Sequence, residues 1–250
     1  MDDLELLQTA LRDAGKIALG IYHSKPKRWQ KPDGTFVTEG DLAVDAFLKA
    51  TICAARPDDG WLSEESQDTA ERLTKSRLWI VDPIDGTRAF SEAINYWGIG
   101  VALAIDGRPS MGGIYCPLED VMYHAVRGGG AFRNGERLAT PTQPQAAIVP
   151  KRIAAEVEAL GLPTIGGSSL PLLLRFAAVG TGQHSASISI GSKSDWDIAA
   201  GHLMVTETGG EITNQRGQEI IYNKAIPAQL GVVAAQAKWH KALIQITRDQ

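Results

Sequence analysis

Leu78-Trp79-Ile80-Val81 is a short apolar run of strand-favouring residues, and it is cut off at once by Asp82-Pro83. Proline lacks an N–H and fixes φ, so a paired central strand is expected to stop there. Ile84-Asp85-Gly86-Thr87 follows, with a glycine that lets the backbone approach a ligand and a threonine able to cap a turn of helix. Two carboxylates in a stiff turn at the end of a buried strand repel each other unless a cation lies between them. Hard oxygen ligands beside free backbone N–H groups suit Mg²⁺ on one side and a phosphate on the other. The competing reading is a plain surface turn, because Asp, Pro and Gly are common turn residues.

A chain of 250 residues can bury a substantial core, as one large domain or as two smaller ones sharing an interface. Its 44% apolar and 22% charged residues are those of an ordinary soluble globular protein. The net charge of −4 argues against a general binder of nucleic-acid polymers or membranes. An anionic substrate would then need metal ions or local donors to hold it. No apolar run approaches the length that spans a bilayer. Cys53 and Cys116 are too few for a disulfide scaffold and fit a reducing compartment. The acidic start, Met-Asp-Asp-Leu-Glu, lacks a signal-peptide pattern, so a cytoplasmic protein is expected.

The period of Leu4, Leu7, Leu11, Ala14, Ala18 and Ile21 predicts a first helix, capped by Asp2 or Asp3 and ended before Lys25-Pro26. Gln30-Lys31-Pro32-Asp33-Gly34 reads as a tight turn or flap. Thr38 opens a second helix with Leu42, Ala43, Ala46, Phe47 and Ala50 on one face, and Asp41 in its first turn complements the dipole. Asp106-Gly107 joins two strands as a hairpin. Arg127-Gly128-Gly129-Gly130 looks like a phosphate cradle, but no Lys-Ser/Thr follows, so it is read as structure. In the second half, helices are expected over residues 170–179, 198–208 and 239–246, and strands over 185–190, 220–222 and 231–235. His184 and His202 have no metal-ligand spacing.

Trp61-Leu62-Ser63-Glu64-Glu65-Ser66 precedes the central motif, and Trp196-Asp197-Ile198-Ala199-Ala200-Gly201 follows it. In this order, and over nearly the whole chain, the three segments resemble the signature set of the inositol monophosphatase superfamily. Its members are Mg²⁺-dependent, lithium-sensitive phosphatases of small phosphomonoesters. The resemblance implies an α/β fold, a layered αβαβα sandwich. Its cleft would lie between an N-terminal α+β half, residues 1–143, and a C-terminal α/β half, residues 144–250. Residues 140–150, rich in Pro, Gln, Thr and Ala, would link the two. Two or three Mg²⁺ ions are implied: Glu64, Asp82 and the Ile84 carbonyl on one, Asp82, Asp85 and Asp197 on another, and a weaker third near Glu64. Gly86 and Thr87 amides would hold phosphate oxygens. Asp41 would stand behind the Thr87 hydroxyl that orients water, so Thr87, Asp41 and Glu64 form the catalytic set. Glu65 is expected off the site, in a supporting position or in solvent. Homodimers are usual in that family.

The same resemblance makes Gly167 and Ser168 contacts to the substrate beyond its phosphate. Inositol-specific members carry a glutamate shortly before Trp-Asp, whereas Ser187-Ile188-Ser189-Ile190-Gly191-Ser192 holds no acid here. Asp195, directly before Trp196, resembles the Glu-Trp-Asp of 3′-phosphoadenosine 5′-phosphate phosphatases and is a third substrate candidate. Asp82-Pro83-Ile84-Asp85-Gly86-Thr87-Arg88-Ala89-Phe90 resembles instead the motif of histidinol-phosphate phosphatases. The function expected is hydrolysis of an inositol monophosphate-type or 3′-phosphoadenosine 5′-phosphate-type ester, with histidinol phosphate as the alternative. A regulatory protein that binds metal or phosphate without turnover would predict a degraded nucleophile side, yet Thr87 and Asp41 both stand.

Overall fold

A computed structural model describes residues 1–24, 26–31, 34–166 and 170–250. Asp2 opens helix α1 (Asp3–Tyr22), its carboxylate accepting the Glu5 N–H at 2.8 Å. Strands β1 (Arg28–Gln30) and β2 (Phe36–Thr38) pair antiparallel, and α2 (Glu39–Ala55) follows. Next come β3 (Gly60–Ser63), β4 (Arg77–Asp85), the short α3 (Thr87–Ser91), β5 (Gly98–Ile105), β6 (Arg108–Cys116), β7 (Val121–Val126), β8 (Gly130–Arg133) and β9 (Glu136–Arg137). Together β3 to β9 make a seven-stranded sheet in chain order, parallel only between β3 and β4.

The second half holds β10 (Ala147–Val149), α4 (Ala154–Glu158), β11 (Thr164–Gly166), α5 (Leu172–Gly180), β12 (Ala186–Ser194), α6 (Trp196–Thr206), β13 (Gly210–Thr213), β14 (Ala228–Gln236) and α7 (Ala237–Thr247). Its five strands run in the order β11-β10-β12-β14-β13.

Strand alternation sorts these elements into layers. Trp79, Val81, Val101 and Leu103 bury against α1 and α2. Their neighbours Leu78, Ile80, Ala102 and Ala104 face the other way, onto α5 and α6. On the smaller sheet Val232 and Ala234 close that middle layer, while Val233 and Ala235 pack under α4 and α7. The order is α, β, α, β, α, as expected. No helix of the described residues is long and apolar enough to cross a membrane.

Helix α6 lies unusually close to the large sheet. A Cβ on Gly112 would come 2.5 Å from the Ala200 carbonyl oxygen, and one on Gly100 would come 3.1 Å from the Ala200 Cβ. Only glycine permits that approach. At the far end of the helix, the Glu207 carboxylate accepts the Gly128 and Gly130 N–H groups at 2.8 and 2.9 Å. The triple-glycine turn is therefore already satisfied from within the fold, in agreement with its structural reading.

Three expectations are corrected. Strand β4 runs past Pro83 to Asp85, because a bulge between Asp82 and Asp85 accommodates the missing N–H. Helix α2 buries Val44, Leu48 and Ile52 rather than Leu42 and Ala46, and takes Asp41 and Asp45 inward with them. Residues 220–222 are irregular, and β13 occupies the sheet edge instead.

Candidate active site

The bulge at the end of β4 builds the centre of the site. Asp82 pairs with Gly100 and Asp85 with Gly98, so three steps along β4 match two along β5, and the extra residue re-aims both carboxylates. Gly86 then adopts φ 103°, a left-handed conformation, with Tyr96 O only 2.8 Å from where a Cβ would stand. This turn starts α3 with Thr87. The Thr87 hydroxyl donates to Asp41 Oδ1 at 2.9 Å and lies 3.2 Å from the Ile84 carbonyl.

Asp41 is held by its other oxygen. Oδ2 accepts the Thr38 N–H at 2.8 Å and the Thr38 hydroxyl, while Thr38 Oγ1 caps Gly40 and Asp41. That is a complete capping box. Structural and functional readings of Asp41 thus coincide in one side chain. Burial pushes its carboxyl up to about 6, against the pull of the Thr38 and Thr87 hydrogen bonds.

Asp82, Asp85, Glu64 and Asp197 converge around the same point. Asp82 is 2% exposed, and its Oδ1 has no hydrogen-bond partner. Burial holds the Asp82 carboxyl well above its ordinary range, and the charges of Asp85, Glu64, Asp197 and Asp41 add to the shift. Asp85 is pushed up to about 7 and Asp197 to about 6, again chiefly by burial. Asp85 Oδ2 accepts the Leu173 N–H at 2.7 Å, so a carboxylate of the first half caps α5 of the second. Asp197 Oδ2 accepts the Ser194 N–H at 2.9 Å. Helix α6 brings Asp197 to Asp82 by lying on Gly100 and Gly112.

Among the described residues, no three His, Cys, Asp or Glu side chains stand ready in metal-binding geometry. Two of the carboxylates lean on backbone N–H groups instead, and a lysine neutralises a third. The donor set nevertheless fits a hard dication. It is all oxygen, its members raise one another's pKa, and it leaves a buried carboxylate oxygen without a partner.

That lysine, Lys31, escaped the sequence reading. Its Nζ lies 3.1 Å from Glu64 and 2.6 Å from Glu65. Burial works to discharge the ammonium, but both glutamates outweigh it and keep it charged. Of the two places expected for Glu65, the structure takes the supporting one. Its side chain is 5% exposed and its carboxyl is pushed up to about 7, first by burial and further by Glu64 and Asp41. It therefore borders the site rather than facing solvent. Asp45 was also missed; it accepts the Ser63 and Ser66 hydroxyls and so braces the strand end that carries Glu64. A lysine in a flap and an aspartate on a helix carry no local mark of such partners.

Asp195 is corrected too. It is fully buried, and its Oδ1 accepts the Gln229 side-chain N–H at 2.7 Å behind the start of α6, so it does not reach a substrate. Gly167 and Ser168 lie outside the described residues. His202 is buried against the Tyr222 hydroxyl at 2.9 Å; His184 leans on the Ala146 carbonyl.

A family model described as the inositol monophosphatase family matches residues 3–250. The chain belongs to that family. Among its relatives, a Streptomyces griseus protein named glucose-1-phosphate thymidylyltransferase is 32% identical over 231 residues, 86% of each chain. The 3′(2′),5′-bisphosphate nucleotidase CysQ of Aggregatibacter actinomycetemcomitans is 31% identical over 246 residues, 89% of this chain and 87% of that one. Among solved structures, the extragenic suppressor protein suhB from Bartonella henselae matches with a TM-score of 0.84 at 25% identity, covering 98% of both chains. Relatives at similar identity carry names of different activities, so membership of the family leaves the substrate to the residues.

Proposed function

We propose that this chain is a Mg²⁺-dependent phosphatase of small phosphomonoesters that works by in-line attack of water. One observation carries the reading: the Thr87 hydroxyl donates to Asp41 at 2.9 Å beside a cluster of four carboxylates, one of them with an unpartnered buried oxygen. Glu64, Asp82 and the Ile84 carbonyl would hold one ion, and Asp82, Asp85 and Asp197 the other. The ions, when bound there, would neutralise the attacking and leaving oxygens and make a water more acidic.

The chain's own residues supply orientation and proton handling. With its proton committed to Asp41, Thr87 Oγ1 offers a lone pair to an incoming water and aligns it. Thr38 locks the Asp41 rotamer, so no reorganisation is needed at the moment of attack. A carboxyl pushed up to about 6 is basic enough to accept a proton near neutral pH. The Gly86–Thr87 turn presents backbone N–H groups to phosphate oxygens.

Phosphate release from a panel of phosphomonoesters with Mg²⁺ tests the assignment; full turnover in excess chelator would sink it. Lithium inhibition is expected. Among substrates, 3′-phosphoadenosine 5′-phosphate is expected to match or exceed inositol 1-phosphate in kcat/KM. Strand β12 offers no carboxylate for ring hydroxyls, and Ser187 is fully buried. A cavity of about 530 Å³ beside Gly86 presents Tyr96, Leu170 and Pro171 as an apolar face and, as a cation, Arg88, which is paired with Glu92 of the same wall at 3.2 Å. Histidinol phosphate, favoured by Arg88-Ala89-Phe90 after the motif threonine, belongs in the same assay. A clear preference for inositol 1-phosphate overturns the substrate reading and leaves the phosphatase intact.

A further inference from the structure

Helix α2 buries two acids four residues apart, which puts both on one face, a turn from each other. Asp41 receives Thr87 at the cleft. Asp45 turns to another part of the chain, and a carboxylate that is 7% exposed opposes folding unless donors match it. Its donors are the two hydroxyls that bracket Glu64 and Glu65. Ser63 Oγ donates to Oδ1 at 2.5 Å, and Ser66 Oγ donates to Oδ2 at 2.6 Å. One carboxylate thereby spans the four residues from Ser63 to Ser66, with an oxygen at each end. The Trp61 indole N–H donates to Ser66 Oγ at 3.2 Å, which leaves the hydroxyl proton for Asp45. The Glu64 N–H is tied in turn to the carbonyl of Val81, the residue before Asp82, at 3.3 Å.

These ties work against a pull. The Lys31 ammonium, just past the end of β1, lies 3.1 Å from Glu64 and 2.6 Å from Glu65 and draws both carboxylates towards itself. A glutamate side chain has three rotatable bonds, so the turn of its backbone decides whether an oxygen reaches an ion beside Asp82 or ends on the ammonium. Asp45 fixes that turn from a helix of 17 residues that also carries Asp41. Glu64 and the Thr87–Asp41 pair are thus held in one frame, and a ligand already in place loses little freedom when an ion arrives.

We propose, on the two-ion reading above, that Asp45 is a positioning residue. Through Ser63 and Ser66 it holds Glu64 within reach of the ion that Glu64, Asp82 and the Ile84 carbonyl would share, and so sets the affinity of that ion.

Calorimetric titration of Mg²⁺ into the substrate-free chain reads this without turnover. Asp45→Asn keeps the side chain's size but puts an N–H₂ group where one hydroxyl needs an acceptor. It should weaken one of the two ions roughly tenfold or more and leave the other within about threefold. Charge is lost with Asp45 as well, so a second variant keeps the charge: Ser63→Ala with Ser66→Ala removes only the two hydroxyls. This pair should weaken the same ion to a similar extent. Combining it with Asp45→Asn should add little, because the three groups act as a unit. Ser66→Ala alone, on a half-buried side chain, is the mildest change and should weaken the ion severalfold; it keeps the test decisive if the others fail to fold. In turnover assays the Mg²⁺ concentration for half the maximal rate should rise by a larger factor than kcat falls. Unchanged Mg²⁺ affinity in both serine variants overturns the proposal, since any effect of Asp45→Asn would then be one of charge. A lowered Tm with Mg²⁺ affinity intact, or losses that add fully in the triple variant, overturns it too. An unaltered chain that binds no Mg²⁺ overturns the phosphatase reading and the proposal together.

Discussion

Asp41 joins the fold to the proposed chemistry in one side chain, one oxygen closing a capping box and the other receiving Thr87. Removing either role is hard to separate from the other. Asp82 is cleaner, since its free oxygen has no structural partner to lose. Asp82→Asn is expected to lower kcat about a thousandfold or more, because it would take a shared ligand from both ions. Glu65→Gln should keep kcat within about tenfold and shift the Mg²⁺ dependence, because it unties Lys31 from one of its two anchors. Rates at several Mg²⁺ concentrations separate the two, and equal losses would mean the glutamates have been assigned the wrong way round. At this scale the sequence was informative where the candidate residues are neighbours in the chain: Asp82, Ile84, Asp85 and Thr87 sit in one turn. It was silent on Lys31, and it misplaced Asp195, because which side chain becomes buried, and against what, is decided by the packing of distant segments.

Among elements, α6 was read as starting at residue 198, whereas it begins at Trp196. It is buried on every side from Ile198 to Val205, so no polar stripe marks its ends or its period. Amphipathic α1, with one wet face, was read along its whole length. Strand β4 was cut short for a different reason: proline forbids a regular ladder but not a bulge, and no local signal distinguishes the two. Close packing of α6 predicts opposite outcomes for two glycine substitutions. Gly112→Ala drives a methyl into the Ala200 carbonyl and should cost about 1–3 kcal/mol, lowering Tm by several degrees and weakening Mg²⁺ dependence through Asp197. Gly20→Ala, exposed on α1 with nothing within 4 Å of the new methyl, should stabilise by roughly 0.5–1 kcal/mol. Thermal melts of both variants check this, and an unchanged Tm for Gly112→Ala would contradict the tight contact.

For the whole molecule, the site's carboxylates set how stability follows pH when metal is removed. Asp41 and Asp197 titrate at about 6 and Asp85 at about 7 in the fold, against 3.8 for an ordinary aspartate. Between pH 4 and 7 the folded chain therefore holds protons that the unfolded chain has released. This stabilisation is fully present below about pH 4 and is lost as pH rises through 6 to 7. His202, buried and pushed down to about 3, acts in the opposite sense, since the unfolded chain takes up its proton below 6.5. Burial also pushes His124 and His240 down and Asp82, Glu65 and Asp195 up, so six carboxyls stand against three imidazoles. Tm in chelator should therefore fall from pH 5 to pH 7.5, and excess Mg²⁺ should restore it at the higher pH. A Tm in chelator that climbs over this interval would contradict the cluster's burial. The layering itself was legible, through the motif order that carries the family resemblance; the balance of charge inside it was not, because it depends on which groups the layers enclose.

A helix with a sheet on each side has nowhere to rest until both sheets exist. The strands that enclose α6 come from residues 60–137 and 147–236, so its docking closes contacts between distant parts of the chain and belongs late in the route from coil to native state. Asp197 rides on that helix. The carboxylate cluster would then be completed only after the main barrier has been crossed, and an ion captured there acts on escape rather than on arrival: Mg²⁺ should slow unfolding and leave the folding rate nearly untouched.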